Sequence, residues 1–410
     1  MAWDILGTGK TVLRGGWGVF NYHGLWFTEG LSAPAGVQLK SIGSVSFPEI
    51  EGTDPGVGAI GTNALDRNDD KVSRTHSWSL SISQRLPAAN MVELSYVGNT
   101  SKNVLNQCQV GSNINAVPKG ALFAYLGNPN DLENVEDFRP YHNYQDLCVL
   151  THNLYQNYHG FQASWLRQVG KIDVQANYTY SKGLGINTVD GGDELDLLQN
   201  YGPMVNDRRH IFNAAYSIRL PNPVKTQPLG KALANGWQLS GITQFQSGVN
   251  LTGNTNNSFN LDPGGYVLPN GYAVTNRTIV GSSNVGLRPL VTCDPRKGLG
   301  GNQYVNGSCL ALPTVPGVNG PIVPPEVFGP AFFNSDLSLF KNFQFTESRK
   351  LQFRFSAYNF LNHPLWTFRG STNNLNLVFD ETGRMVNPNF GITTEKLGHR
   401  IIQLALKYYF

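Results

Sequence analysis

Apolar and polar residues alternate with a period of two along about ten segments of this chain. Ile172, Val174 and Ala176, for example, alternate with Asp173 and Gln175. Successive side chains of a β-strand point to opposite faces, so each segment predicts a strand with one apolar and one polar face. Each segment is close to the ~9–11 residues with which a tilted strand crosses a bilayer. The segments begin near Thr11, Trp78, Met91, Phe161, Ile172, Phe212, Gly236, Phe333, Leu351 and Ile402.

The connections between these segments alternate between short and long. Short connections cover 87–90, the surroundings of Gly170, 221–235 and 344–349; long ones cover 22–75, 98–158, 183–206, 247–332 and 362–400. If the strands run up and down, all short turns lie at one margin of the sheet. A compact soluble domain rarely carries several loops longer than about 15 residues. The pattern predicts an all-β, antiparallel up-and-down transmembrane β-barrel, partial, with long extracellular loops and short periplasmic turns.

Composition excludes several other classes of protein. Charged residues make up only 14%, and 45 Gly and 23 Pro favour turns and β-structure over a helical bundle. The net charge of +3 is spread without basic runs, so we expect no nucleic-acid partner. No apolar run approaches the ~18 residues of a membrane-spanning helix. No nucleophile or phosphate-loop motif stands in its required context, so we expect no enzyme activity, no cofactor and no resident metal.

Short segments along nearly the whole chain, apart from the long loops, together carry a family resemblance. They are GKTVLRGG at 9–16, WSLS at 78–81, QRLP at 84–87, SYVG at 95–98, NYTYSK at 177–182, DRRH at 207–210, GWQLSG at 236–241, FFN at 332–334, DLSLFKN at 336–342, YNFLNHP at 358–364 and YYF at 408–410. In this order they resemble the TonB-dependent receptor-like outer-membrane β-barrels of the Oar type. The resemblance implies a parent barrel of about 22 strands, a size at which barrels have a plugged lumen.

The resemblance also implies a function, a location and partners. The parent protein would import an external nutrient across the outer membrane of a Gram-negative bacterium, driven by the TonB complex through a plug domain. We expect residues 1–410 to be the C-terminal half of that barrel, without plug domain or signal peptide. Partners would be outer-membrane lipid, the barrel-assembly machinery and an unknown small-molecule or oligomeric ligand. Two alternatives stay open: a surface adhesion or structural outer-membrane protein without transport, and a secreted carbohydrate-binding β protein.

Two sets of residues follow from the alternation itself. Polar residues on the inward faces of the strands would line a wet lumen. They are Arg14, Glu93, Asp173, Arg219, Asp336, Arg354 and Lys407. The last strand is apolar on the other face and ends on an aromatic residue, which resembles the signal read by the barrel-assembly machinery. This set consists of Leu404, Leu406, Tyr408 and Phe410.

Cysteines and acidic residues concentrate in the long connections. Cys108 and Cys148 fall in one predicted loop, Cys293 and Cys309 in another, and none falls in a predicted strand. Their even number favours disulfides, although the three possible pairings stay open. Asp190, Asp193, Glu194 and Asp196 form a cluster that could hold calcium, but its spacing is not that of an EF-hand. A solvated acidic loop is the favoured interpretation. For DRRH at 207–210 we favour a charge network at the rim over acid–base chemistry.

Overall fold

The computed structural model describes residues 1–22, 60–66, 68–106, 110–125, 135–142, 144–186, 192–204, 206–252, 259–346, 349–368 and 372–410. Within these residues, β-strands dominate. They are β1 Ala2–Asp4, β2 Thr11–Tyr22, β3 Ile60–Leu65, β4 Ser73–Leu86, β5 Asn90–Asn106, β6 Tyr144–Val169, β7 Ile172–Ile186, β8 Tyr201–Pro203, β9 His210–Arg219, β10 Trp237–Gln246, β11 Asn260–Asp262, β12 Leu290–Val291, β13 Leu310–Ala311, β14 Phe332–Gln344, β15 Lys350–Tyr358, β16 Leu365–Thr367, β17 Asn376–Val378, β18 Glu395–Leu397 and β19 Ile401–Tyr409.

Helices are short and lie outside the long strands. The α-helices are α1 Pro228–Ala234 and α2 Asn276–Ile279, and 3₁₀ turns cover Ala121–Tyr125, Val135–Phe138, Leu198–Asn200, Gly307–Cys309 and Thr372–Leu375. Among the residues described, no helix combines the length and the apolar character needed to cross a bilayer.

One antiparallel sheet, the wall, contains every predicted strand. Its order is β1-β2-β4-β5-β6-β7-β9-β10-β14-β15-β19, so each strand pairs with its predecessor and successor along this path. Among the described residues β1 pairs only with β2, and β19 only with β15, which leaves the sheet open. The prediction of an all-β, up-and-down antiparallel architecture is confirmed. Short strands extend it at the margin of the long connections, where β3 pairs in parallel with β6 and β8 pairs antiparallel with β7.

The two margins of the wall differ as predicted. At the lower margin, β6 and β7 are joined by Gly170 and Lys171 alone, with Val169 opposite Ile172. Gly170 has φ +68°, a conformation that glycine adopts without strain and that tight hairpins require. Helix α1 lies in the β9–β10 connection at the same margin. The long connections all begin and end at the upper margin, because neighbouring strands are antiparallel.

The strands β5 and β6 are longer than the alternation predicted. β5 reaches Asn106 and β6 begins at Tyr144, so much of the predicted loop 98–158 is strand. Cys148 therefore lies in β6, and its placement in a loop was wrong. Tyr144–Leu150 pairs with β3, and the loop residues Ser112 and Ile114 form backbone hydrogen bonds with Val149 and Leu147. A strand embedded in loops does not face lipid on one side, which removes the clear apolar–polar contrast on which the prediction relied.

Two of the long connections, between β10 and β14 and between β15 and β19, fold together into a compact unit. We call this unit the cap: residues 247–331 and 359–400, as far as they are described. The parallel pairing of β11 with β17 joins them. Leu251, Ile279, Val305 and Leu377 are at most 1% exposed and belong to one apolar cluster. The loop 110–125 docks on the cap, because the Val117 amide donates to the Asn284 side chain over 2.9 Å.

Candidate functional site

The wall has an apolar outward face and a polar inward face. Outward residues such as Leu80, Tyr96 and Phe161 share one register across β4, β5 and β6, and Leu404 and Leu406 of β19 are 64% and 66% exposed. From Trp78 to Leu86 the outward band spans nine residues of β4, or roughly 26 Å along the strand. This matches the height of about 25 Å that membrane barrels expose to lipid. These side chains do not converge on a dry core.

Residues paired across neighbouring strands point to the same face, so the registers identify the inward face on every strand. Arg14 lies opposite Ser81, Ser81 opposite Ser95 and Ser95 opposite Gln162. Followed in this way across the sheet, all seven predicted lumen residues share the inward face: Arg14, Glu93, Asp173, Arg219, Asp336, Arg354 and Lys407.

The structure brings only some of these seven residues into contact. The Arg14 guanidinium donates to the Ser83 hydroxyl over 3.1 Å and to the Glu93 carboxylate over 3.2 Å. Arg354 stacks on the Phe340 ring at 4.6 Å. Asp173 and Asp336 line one concavity of about 450 Å³ on this face. The face is thus polar, and the Arg14–Glu93 ion pair reaches across the intervening strand β4.

A second concavity lies on the inward face directly below the upper margin, and we call it the rim concavity. Its volume is about 460 Å³. Side chains from β5, β6 and β10 line it together with the segment between β8 and β9: Asn99, Gln156, Tyr158, Asn206, Arg208 and Gln246. Gly183 of β7 also lines the concavity, and because it has no side chain it leaves room for a ligand. Sequence reasoning missed this site because its residues come from distant strands and carry no motif.

A charge network holds the rim concavity to the cap. The buried Asp207 carboxylate accepts from the Gly183 amide over 2.8 Å and lies 3.3 Å from Arg209. Arg209 also pairs with Glu326 of the cap, which lies 3.6 Å from Lys182. The segment at 207–210 therefore forms the rim network that its sequence predicted. The network connects residues 207–209, directly before β9, to Glu326 in the first segment of the cap.

The acidic cluster at 190–196 is not the solvated loop that we expected. Asp190 lies outside the described residues. Asp193 is fully buried, pairs with Lys119 and accepts from the amides of Leu195 and Asp196. Glu194 accepts from Asn284 over 2.7 Å. The interpretation was wrong because these carboxylates join three loops, and a carboxylate can be buried only when such partners compensate its lost hydration.

Burial and hydrogen bonds in the outer loops shift several pKa values. Burial lowers the pKa of Arg288, and the charge of Asp193 opposes that shift. Burial acts to raise the pKa of Asp69, but hydrogen bonds from the backbone and side chain of His152 outweigh it, and the pKa is lowered. Hydrogen bonds from Arg296 lower the pKa of Asp294 to about 2. Both carboxylates therefore stay ionised at a lower pH than an ordinary aspartate.

Among the predicted cysteine pairs, the structure joins Cys293 and Cys309 in a disulfide inside the cap. Cys148 is disulfide-bonded, and Cys108 lies outside the described residues. In the described part of the chain, no group of three or more His, Cys, Asp or Glu residues could hold a metal ion. Of the predicted assembly residues, Leu404, Leu406 and Tyr408 lie on the outward face of β19, and the Phe410 ring stacks on Tyr408 at 6.1 Å.

An up-and-down antiparallel wall with an apolar outward face, a polar inward face and long loops at one margin defines the class of outer-membrane β-barrels. A family model described as "Outer membrane beta barrel domain" matches residues 1–403. The chain belongs to this family, and its location is the outer membrane. Because the family consists of membrane barrels, the expectation that the chain is not an enzyme holds.

Several solved structures are similar to this chain. They include the ferric-catecholate import receptor Fiu from Escherichia coli K12 (8% identity, TM-score 0.41) and the outer membrane transporter YddB from Escherichia coli (10%, 0.45). The siderophore receptor PirA from Acinetobacter baumannii is another (10%, 0.40). All of this chain is covered in each comparison, but only 34%, 39% and 40% of those chains. No curated protein matches the sequence.

Proposed function

We propose that this chain is the C-terminal half of the barrel of an Oar-type TonB-dependent receptor, which imports an external nutrient across the outer membrane. The observation that carries the proposal is the rim concavity of about 460 Å³, on the polar face and at the margin where the cap lies. A nutrient held there would be shielded from lipid by the wall and would enter from the outside. Coupling to the TonB complex would run through the plug domain of the parent protein.

An uptake experiment in the producing bacterium tests this proposal. The gene is deleted, and growth is measured on single nutrients beside a strain whose TonB is inactivated. We expect both strains to lose growth on at least one shared nutrient, and the intact gene to restore it in the deletion strain. Growth that is unchanged on all nutrients, with reduced attachment to surfaces, would contradict transport and favour the adhesive alternative.

The last strand offers a separate test of the proposed assembly signal. Leu404, Leu406, Tyr408 and Phe410 would present an outward apolar edge to the barrel-assembly machinery. Removing the ring with Phe410→Ala should reduce the amount of protein that reaches the outer membrane. Tyr409→Ala is the matched control, because Tyr409 is on the same strand but its side chain points to the inward face. If both variants reduced the amount of protein in the outer membrane equally, the outward orientation of the Phe410 ring would not be what assembly requires.

A further inference from the structure

The rim concavity has an aromatic floor. Tyr158 and Gly160 lie two residues apart on the inward face of β6. A Cβ atom at Gly160 would meet the Tyr158 hydroxyl at 2.8 Å and its ring carbons at 3.1 and 3.2 Å. Glycine therefore allows this ring to lie along the strand, with one face against the wall and the other toward the concavity. A flat ring of this kind stacks on apolar faces of ligands.

Amide side chains surround this ring. Asn99, Gln156 and Gln246 line the concavity, and no hydrogen-bond partner for their side chains occurs among the described residues. Each amide group offers two donors and an acceptor, whereas a carboxylate only accepts and an ammonium only donates. A hydroxyl group likewise both donates and accepts. The lining is therefore matched to a ligand that carries many hydroxyl groups.

The charged residues that line the concavity are balanced in sign and have partners within the protein. Its charged lining consists of Asp207 and Arg208. Asp207 is engaged by Gly183 and Arg209, and Arg208 donates to the Asp207 carbonyl over 3.0 Å. An anionic ligand would require an excess of basic side chains, because charge-assisted hydrogen bonds dominate its recognition. The lining has no such excess.

We propose that the rim concavity binds a neutral oligosaccharide, with one sugar ring stacked on Tyr158 and its hydroxyl groups bonded to Asn99, Gln156 and Gln246. A pyranose ring combines an apolar C–H face with a rim of hydroxyl groups, which is the combination that this lining accepts. The volume of about 460 Å³ lies within the range of roughly 300–1,000 Å³ that is usual for ligand pockets. This inference rests on the proposed function and specifies its substrate class.

Calorimetric titration of the full protein, extracted in detergent from the outer membrane, tests the inference. The probes are maltotriose, cellotriose, xylotriose and mannotriose, with trigalacturonate as the anionic comparison. We expect at least one neutral trisaccharide to bind, and Tyr158→Ala to weaken that binding about tenfold, because stacking is lost. Tyr158→Phe keeps the ring and should retain most of the affinity.

A matched pair of glutamines controls for general damage. Gln246 lines the concavity, whereas Gln244, two residues away on the same face of β10, does not. Gln246→Ala should weaken binding several-fold and Gln244→Ala should leave it unchanged. Absence of binding by every neutral sugar, preference for trigalacturonate, or binding that Tyr158→Ala and Gln246→Ala leave intact would each overturn the inference. If the sugar-binding inference fails in one of these ways but TonB-dependent growth persists, the proposed transport function still stands. The failure of the inference and the failure of the proposed function are therefore distinguishable.

Discussion

The wall and the cap use opposite rules to place apolar residues. In the wall, Leu404 and Leu406 point away from the sheet and are 64% and 66% exposed, because lipid supplies their apolar surroundings. In the cap, Ile279, Val305 and Leu377 are fully buried against one another, because the surroundings are water. One chain thus combines a membrane protein and a compact water-soluble unit, joined along one margin of the sheet.

Opening a cavity in the cap should have the largest effect. Leu377→Ala is expected to destabilise the cap by about 2–5 kcal/mol, because a fully buried side chain is lost. Trypsin added to intact cells should then cleave the cap faster, while the wall remains in the membrane. Leu404→Ala is the control, since its side chain faces lipid. Equal protease sensitivity of both variants would remove the distinction between the two regions.

A charge on the lipid face should have the next largest effect. Leu80→Lys is expected to destabilise the wall by up to about 2–4 kcal/mol, because it moves an ammonium group into hydrocarbon. The amount of protein in the outer membrane should fall. Ser79→Lys puts the same charge on the inward face and should be tolerated. If both variants assembled equally well, the assignment of the two faces would be wrong.

These two regions also differ in how far sequence predicts them. Period-two alternation identified the strands of the wall because each has lipid on one side and polar surroundings on the other. In the cap, Leu251, Val305 and Leu377 come from different segments at irregular spacing, so no local pattern marks them as a core. Asp193 was misjudged for the same reason, since its partner Lys119 is distant in sequence. The rim concavity depends equally on residues that only the sheet brings together.

The joint between wall and cap should be of intermediate strength. Glu326→Gln removes the charge that pairs with Arg209 and Lys182, and is expected to cost about 1–3 kcal/mol because Arg209 is largely buried. Thermal unfolding of the cap, followed by near-ultraviolet circular dichroism, measures the loss. Asp294→Asn breaks an exposed pair with Arg296 inside the cap and should have a smaller effect.

The smallest expected effect depends on pH. Because the pKa of Asp69 is lowered in the folded protein, its ionised form stabilises the fold above the ordinary value of 3.8, and this contribution is lost as pH falls through the folded pKa. Asp69→Asn should cost about 0.5–1.5 kcal/mol at pH 7, since part of the hydrogen bonding to His152 remains. The difference between the wild type and this variant should vanish on acidification. A difference that is constant with pH would show that the charge contributes nothing.

The central claim is that the wall separates lipid from water with alternate residues of each strand. Single cysteines at positions 79, 80, 81 and 82, reacted in native outer membranes with a water-soluble thiol reagent, test it most directly. We predict that positions 79 and 81 react and that positions 80 and 82 are protected and lie next to lipid-borne spin labels. Reaction at all four positions, or protection of all four without contact to lipid, would contradict the account.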